Sequence, residues 1–256
     1  MAQINYALRE VQCKIVYYGP GLSGKTTNIE IVHSKAPPQN RGKLTSIATE
    51  GDRTLFFDFM PLDLGSVAGM RTKFQLYTVP GQVYYDSTRK LVLNGADGVI
   101  FVADSQAEKL DENIESLTNL FKNLRENGID PDTIPLVMQW NKRDLPTALP
   151  VETLEEKLNP RKAPSCEAIA CNGTGVFPSL KAISSLVLEQ INQRAQLATS
   201  VRPKGPAETE GARATPEKPG SAVEAAPSAP SAGVAAKPVP PPPPTARPAA
   251  GAPHPP

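Results

Sequence analysis

The 256-residue chain has few cysteines, one tryptophan and almost no charge imbalance. Its three cysteines, Cys13, Cys166 and Cys171, are odd in number and lack metal-ligand spacing, so they read as reduced thiols and point to the cytoplasm. With 27 Lys+Arg against 26 Asp+Glu the net charge is +1, which argues against a nucleic-acid or membrane footprint built on bulk charge. No apolar run approaches the roughly 18 residues that a membrane span needs. The opening Met1-Ala2-Gln3-Ile4-Asn5 has neither a basic head before an apolar stretch nor the glycine that myristoylation requires. The closing Ala252-Pro253-His254-Pro255-Pro256 is no prenylation box, so the expectation is a chain without secretory signal or membrane anchor. No internal repeat is apparent.

Proline is plentiful but uneven: 16 of the 28 prolines fall in Val201–Pro256. That segment contains no Leu, Ile, Met, Phe, Tyr or Trp. It cannot bury enough apolar surface to offset the entropy of ordering it, so residues 199–256 are expected to be a disordered Pro/Ala-rich tail. The run Pro240–Pro244 should be locally stiff polyproline II. It reads either as a spacer or as a docking peptide for a polyproline-binding partner.

Residues 1–198 form the expected folded domain. Cys13–Tyr18, Leu55–Met60, Phe74–Val79, Gly98–Ala103, Pro135–Trp140 and Glu167–Ala170 read as strands, most of them apolar along their whole length, as strands covered on both faces are. Lys25–His33, Asp111–Glu126, Val151–Leu158 and Gly175–Arg194 carry helical periods. The order predicts an α/β fold with a mostly parallel six-stranded sheet, one antiparallel neighbour and helices on both faces. Trp140 ends a strand and reads as core, and His33 as a helix-end residue.

Gly19-Pro20-Gly21-Leu22-Ser23-Gly24-Lys25-Thr26 fits the P-loop pattern between a strand and a helix, which makes the fold that of a P-loop NTPase. Glycine lets the backbone approach phosphate oxygens closely, and the N–H groups of Leu22 to Thr26 then form an anion nest at a helix N-terminus. Lys25 supplies a point charge to the β- and γ-phosphates. Thr26 offers a hydroxyl to Mg²⁺, with Thr27 beside it. This loop does not choose between ATP and GTP.

Asn141-Lys142-Arg143-Asp144 makes that choice from the end of a strand. A carboxylate at Asp144 accepts from both guanine N1–H and the exocyclic amine. Adenine offers no such pair and leaves the acid unsatisfied, which is a strong penalty. Asn141 can reach the base and tie back to the phosphate loop, and the Lys142 stem covers a ring face.

With these motifs in place the chain resembles Ras-like small GTPases, and more closely the bacterial gliding-motility (MglA-like) GTPases, over about residues 4–195. Besides Cys13–Thr27, the resemblance rests on Thr49–Phe59, on Thr78-Val79-Pro80-Gly81-Gln82 and on Val102-Ala103-Asp104-Ser105. It implies a Ras-like G domain that hydrolyses GTP with Mg²⁺. It also implies a cytoplasmic regulator of polarity or motility, with a roadblock-domain activating partner and effectors. Ile169-Ala170-Cys171 takes the place of the fifth base-contacting segment. There the Ala170 N–H should meet guanine O6, and Cys171 replaces the usual lysine.

The resemblance also assigns the switches. Gln82 stands where the family orients the attacking water, and the Gly81 N–H would hold the γ-phosphate. Gly21 leaves room for an arginine there. Arg53 reads as an arginine finger in cis or as a solvated charge before a strand. Thr54 is the expected second Mg²⁺ ligand, with Thr45 and Thr49 as competitors. Thr78 stands where most small GTPases carry an aspartate, a place that Asp58 or Asp52 would then have to fill. Tyr84 and Tyr85 read equally as partner contacts or core. A non-hydrolysing GTP-binding module is the alternative to the GTPase.

Overall fold

The computed structural model describes residues 2–5, 8–47, 57–67, 70–82 and 85–200. The chain divides into Met1–Lys204 and Gly205–Pro256, and every described residue lies in the first unit. The polyproline run and residues 201–256 of the expected tail therefore fall outside the described residues, while residues 199–200, expected to begin the tail, end a helix.

Eight strands are present among the described residues: β1 (Gln3–Asn5), β2 (Glu10–Tyr18), β3 (Thr45–Ile47), β4 (Phe57–Val67), β5 (Met70–Thr78), β6 (Gly98–Asp104), β7 (Leu136–Asn141) and β8 (Ser165–Glu167). The helices are α1 (Lys25–Lys35), α2 (Asp86–Leu93), α3 (Leu110–Glu126), α4 (Val151–Leu158) and α5 (Val176–Ser200). They build one mixed sheet in the order β3-β4-β5-β2-β6-β7-β8, with β1 paired to β2. The central pairs are parallel, whereas β1/β2, β3/β4 and β4/β5 are antiparallel.

Alternation along β2 explains the layers. Cys13, Ile15 and Tyr17 face α1 and α5, packing with Ile29, Val32, Val176 and Ile183. Val16 and Tyr18 face the opposite layer with Val92, Leu93, Leu120, Leu124 and Leu154. Strand β6 is buried along its whole length, as a strand covered on both faces must be. Trp140 is fully buried in the second layer, and its indole N–H donates to Glu155 at 3.1 Å. Burial, then the charge of Asp97, pushes the Cys13 thiol up to about 12, leaving it a core residue without thiolate character.

Four differences from the sequence reading have local causes. The sheet has eight strands, not six, because β1 and β3 are three residues long, too short to show alternation. It has three antiparallel pairs instead of one. Helix α2 was not anticipated, since Asp86–Leu93 is short and buries an arginine on its inner face. The strand expected at Glu167–Ala170 lies at Ser165–Glu167, after which Ala168 donates to Trp140 O at 2.8 Å and the chain turns into a short 3₁₀ turn at Ala170–Asn172.

Helix α5 packs against the start of β6, where Gly98 is a spacer: a β-carbon there would lie 2.7 Å from Val187 and 3.1 Å from Ile183. The Gly98→Ala variant is expected to lose about 1–3 kcal/mol of stability, as overpacked core sites do. Urea unfolding midpoints measure it.

Candidate nucleotide site

Strand β2 delivers the chain to Gly19, where φ is +145° and a β-carbon would collide with the carbonyl oxygen of Val102 on β6. Gly24, with φ +102°, abuts the Asn141 side-chain amide just as closely. Leu22 adopts φ +58° and points its side chain outward, 90% exposed. Gly81 completes the squeeze, because a β-carbon on it would strike the backbone of Gly21 and Pro20. Gly21 itself has open space on its β-carbon side.

Lys25 opens α1 and lies over this loop, 6% exposed, with Nζ donating to Gly19 O at 3.0 Å and Pro20 O at 2.5 Å. Burial, and then the charge of Arg89, holds its ammonium down at about 7. The Ser23 hydroxyl is buried in the same loop with no hydrogen-bond partner among the described residues.

A cluster of oxygens lies beside the loop. Thr26 Oγ1 donates to Asp58 Oδ2 at 2.8 Å, Ser46 Oγ to Asp58 Oδ1 at 2.7 Å and Thr78 Oγ1 to Asp58 Oδ2 at 3.0 Å. The Asp58 N–H donates to Thr78 Oγ1 at 2.8 Å. Antiparallel pairing sets Ser46 of β3 opposite Asp58 of β4, and β5 brings in Thr78. Together with Lys25, Thr27 and Gly81 these residues line a cleft of about 360 Å³. An all-oxygen set of hydroxyls and one carboxylate suits Mg²⁺, with Thr26 as a candidate ligand and Asp58 as the acid that accepts from its hydroxyl. Arg53, Thr54, Thr49 and Asp52 lie outside the described residues, as does Tyr84. Thr45 sits on β3 opposite Phe59. Gln82 is exposed next to Gly81, and Tyr85 is half-buried.

The base motif follows β7. Asn141, 2% exposed, donates from Nδ2 to Ser23 O at 2.7 Å, and its Oδ1 accepts from the Ala170 N–H at 2.9 Å. One partner accepts and the other donates, so the amide has only one orientation. The Ala170 N–H, expected to meet guanine O6, donates to this Asn141 oxygen in the structure. Lys142 takes φ +65° and its Nζ meets the buried Asp104 carboxylate at 2.6 Å. Arg143 braces the turn, donating to Glu167 at 2.9 Å and to Leu149 O at 2.5 Å. Asp144 and Cys171 are exposed at the mouth.

Beneath the site runs a polar chain that the motif reading missed. Gln139 of β7 exchanges hydrogen bonds with Asn28 of α1 at 2.8 and 2.9 Å and donates to Ser179 of α5 at 3.0 Å. Asn28 in turn donates to Gly24 O at 2.9 Å. All three side chains are fully buried and mutually satisfied, the arrangement that fixes one packing. Two polar residues inside apolar patterns were the available signal for it.

A phosphate loop between β2 and α1 and a base motif after β7, both at the carboxyl edge of the parallel strands, define a P-loop G protein. The Gtr1/RagA G protein conserved region matches residues 14–198. The mutual gliding-motility protein MglA of Myxococcus xanthus (strain DK1622) is 56% identical over 193 residues, covering 75% of this chain and 99% of that protein. ADP-ribosylation factor-like protein 4D of Bos taurus is 26% identical over 185 residues, covering 69% of this chain and 84% of that protein. The Mus musculus counterpart is 26% identical over 185 residues, with 69% and 83% covered. The chain belongs to the MglA-like family of small GTPases. No helix among the described residues is long and apolar enough to cross a membrane.

Two outcomes are expected from this geometry. Phosphate oxygens favour the ammonium form of Lys25, whose value in the free protein is about 7. Binding of GDP to nucleotide-stripped protein should therefore take up about one proton above pH 7 and progressively less below it. Calorimetry in buffers of different ionisation enthalpy reads that number. Removing the carboxylate by Asp58→Asn should raise the Mg²⁺ concentration needed to slow GDP release by about 10–100-fold, the usual effect of an outer-shell partner.

Proposed function

We propose that this protein is a GTP-hydrolysing molecular switch that binds GTP with Mg²⁺, cleaves it to GDP and phosphate, and signals through segments near Arg53–Thr54 and Gly81–Tyr85. The observation that carries the reading is the convergence on one cleft of the phosphate loop, the Thr26–Asp58 oxygen pair and Pro80–Gly81, the residues directly before Gln82. The loop amides and Lys25 grip the phosphates. Thr26 and Thr54 would hold Mg²⁺, which would supply positive charge to offset that of the phosphates. The Gly81 N–H holds the γ-phosphate and Gln82 orients the attacking water, while Arg53 supplies charge in cis. Asn141 and Asp144 select guanine, Lys142 covers its face, and Cys171 adds little through its side chain.

In the cell we assign it to cytoplasmic control of polarity or gliding motility, with a roadblock-domain activating partner. The support is the name of the Myxococcus relative and the motifs that carry the family resemblance. A non-hydrolysing module is the rival reading, favoured by Thr78 in place of an acid. The contact of Thr78 and Thr26 with Asp58 favours turnover, since the carboxylate is supplied from β4 instead.

Phosphate release from Mg·GTP, with and without a roadblock-type partner, tests the reading. Gln82→Leu is expected to keep GTP affinity and slow hydrolysis by about 100-fold, the lower range for a positioned group at the reacting centre. Asp144→Ala should weaken GTP by at least about 100-fold and erase discrimination against ATP. A wild-type protein that holds ATP as firmly as GTP, or never releases phosphate with its partner present, overturns it.

A further inference from the structure

Arg89 of α2 is 2% exposed and forms no ion pair with a carboxylate among the described residues. Burying a guanidinium is costly unless its donors are satisfied, so the partners it has chosen are informative. Its Nε donates to Pro80 O at 2.9 Å, an Nη donates to Gly81 O, and the other Nη donates to Asn119 Oδ1 of α3 at 3.0 Å. The guanidinium also lies 5.5 Å from the centroid of the Tyr18 ring at the end of β2. Two of its three acceptors are consecutive backbone carbonyls of the turn that ends in Gln82.

The anchor is itself fixed. Asn119 Oδ1 also accepts from the Tyr18 hydroxyl, and its Nδ2 donates to Asp86 Oδ1 at 2.6 Å. Asn123, one turn further along α3, donates to the same Asp86 oxygen at 2.8 Å. Burial pushes the Tyr18 phenol up to about 12, so it remains a neutral donor. The guanidinium is thereby held by β2, α2 and α3 together, and it holds the turn.

We propose that Arg89 is a positioning residue for hydrolysis, whose guanidinium sets the two peptide planes flanking Gly81 and thereby presents the Gly81 N–H and Gln82 to the γ-phosphate. The inference rests on the hydrolytic reading of the site. Its physical basis is the trans peptide: Pro80 C=O and Gly81 N–H share one plane and point in opposite directions. Gripping the carbonyl fixes the N–H on the far side. The same holds for Gly81 C=O and the Gln82 N–H. On its other side Gly81 abuts Gly21, so the turn is clamped between the phosphate loop and Arg89. A cavity of about 620 Å³, lined by Gly21, Gly81, Gln82, Arg89, Ser116 and Asn119, adjoins the clamp. The Gln82 side chain has room there, whereas its backbone does not move freely. Lysine cannot replace this residue, because a single ammonium lacks the planar fork that spans two carbonyls and an amide.

The test compares wild-type, Arg89→Lys and Arg89→Ala proteins as full chains loaded with Mg·GTP. In Arg89→Lys, single-turnover hydrolysis is expected to fall about 10–100-fold, as misplacement of reacting groups does, while GDP release changes little. The ³¹P resonance of the bound γ-phosphate of a non-hydrolysable GTP analogue should shift or broaden, with the α-phosphate resonance unmoved. Millimolar guanidinium should restore part of the rate to Arg89→Ala. An Arg89→Lys protein with wild-type hydrolysis and an unshifted γ-resonance overturns the proposal, as does one in which GDP release accelerates as much as hydrolysis slows. Should the wild-type protein bind GTP without cleaving it, the hydrolytic reading fails instead, and the phosphorus spectrum alone judges whether Arg89 positions the turn.

Discussion

The nucleotide end of this protein depends on backbone segments that approach each other too closely to admit a β-carbon. Gly19 meets the Val102 carbonyl, Gly24 meets the Asn141 amide, and Gly81 meets Gly21. These three contacts tie the phosphate loop to β6, to β7 and to the turn after β5. The phosphate loop is thereby hemmed in on three sides, an arrangement that favours electrostatic binding without reorganisation. The buried Lys25, pressed against two carbonyls of the same loop, has little freedom to lose.

The base half and the phosphate half are joined twice. At the surface of the site Asn141 bridges Ser23 and Ala170. Below it, Gln139 links Asn28 to Ser179, connecting α1, β7 and α5 through fully satisfied polar side chains. A slip of any one element would leave a buried amide unpaired, a cost that enforces a single register. Within the base half, Lys142 is tied to the end of β6, its left-handed backbone held by the buried Asp104. Strained conformations of this kind persist only where the surroundings over-determine them.

In the oxygen cluster an acid reaches the phosphate loop from a different strand. Most small GTPases carry an acid where this chain has Thr78. Here Asp58 of the neighbouring strand β4 brings a carboxylate to the Thr26 hydroxyl, and Thr78 orients that carboxylate through paired hydrogen bonds. The third hydroxyl, from Ser46, depends on the short strand β3 staying in register with β4. Strand β3 is three residues long and lies at the end of the described sheet, so few backbone bonds hold this hydroxyl in place.

The phosphate loop, the guanine motif, the long central strands and four of the five helices were readable along the chain. Each is encoded by neighbours in sequence: glycines at fixed spacing, a strand-ending Asn-Lys-Arg-Asp, uninterrupted apolar runs, helical periods. The family membership follows from the same local words. What could not be read was every contact between distant segments. Asp58 is one of two candidates along the sequence, and only strand pairing sets it beside Thr26; the other, Asp52, lies outside the described residues. The Ala170 N–H, assigned to the base, found Asn141 29 residues away in sequence. Arg89 carried no local signal because its importance lies in three partners from separate elements, and α2 was too short for periodicity to reveal. A sequence specifies backbone conformation through short-range sterics and patterning; which polar groups meet is decided only when sheet register and helix packing bring remote residues to within about 3 Å of each other.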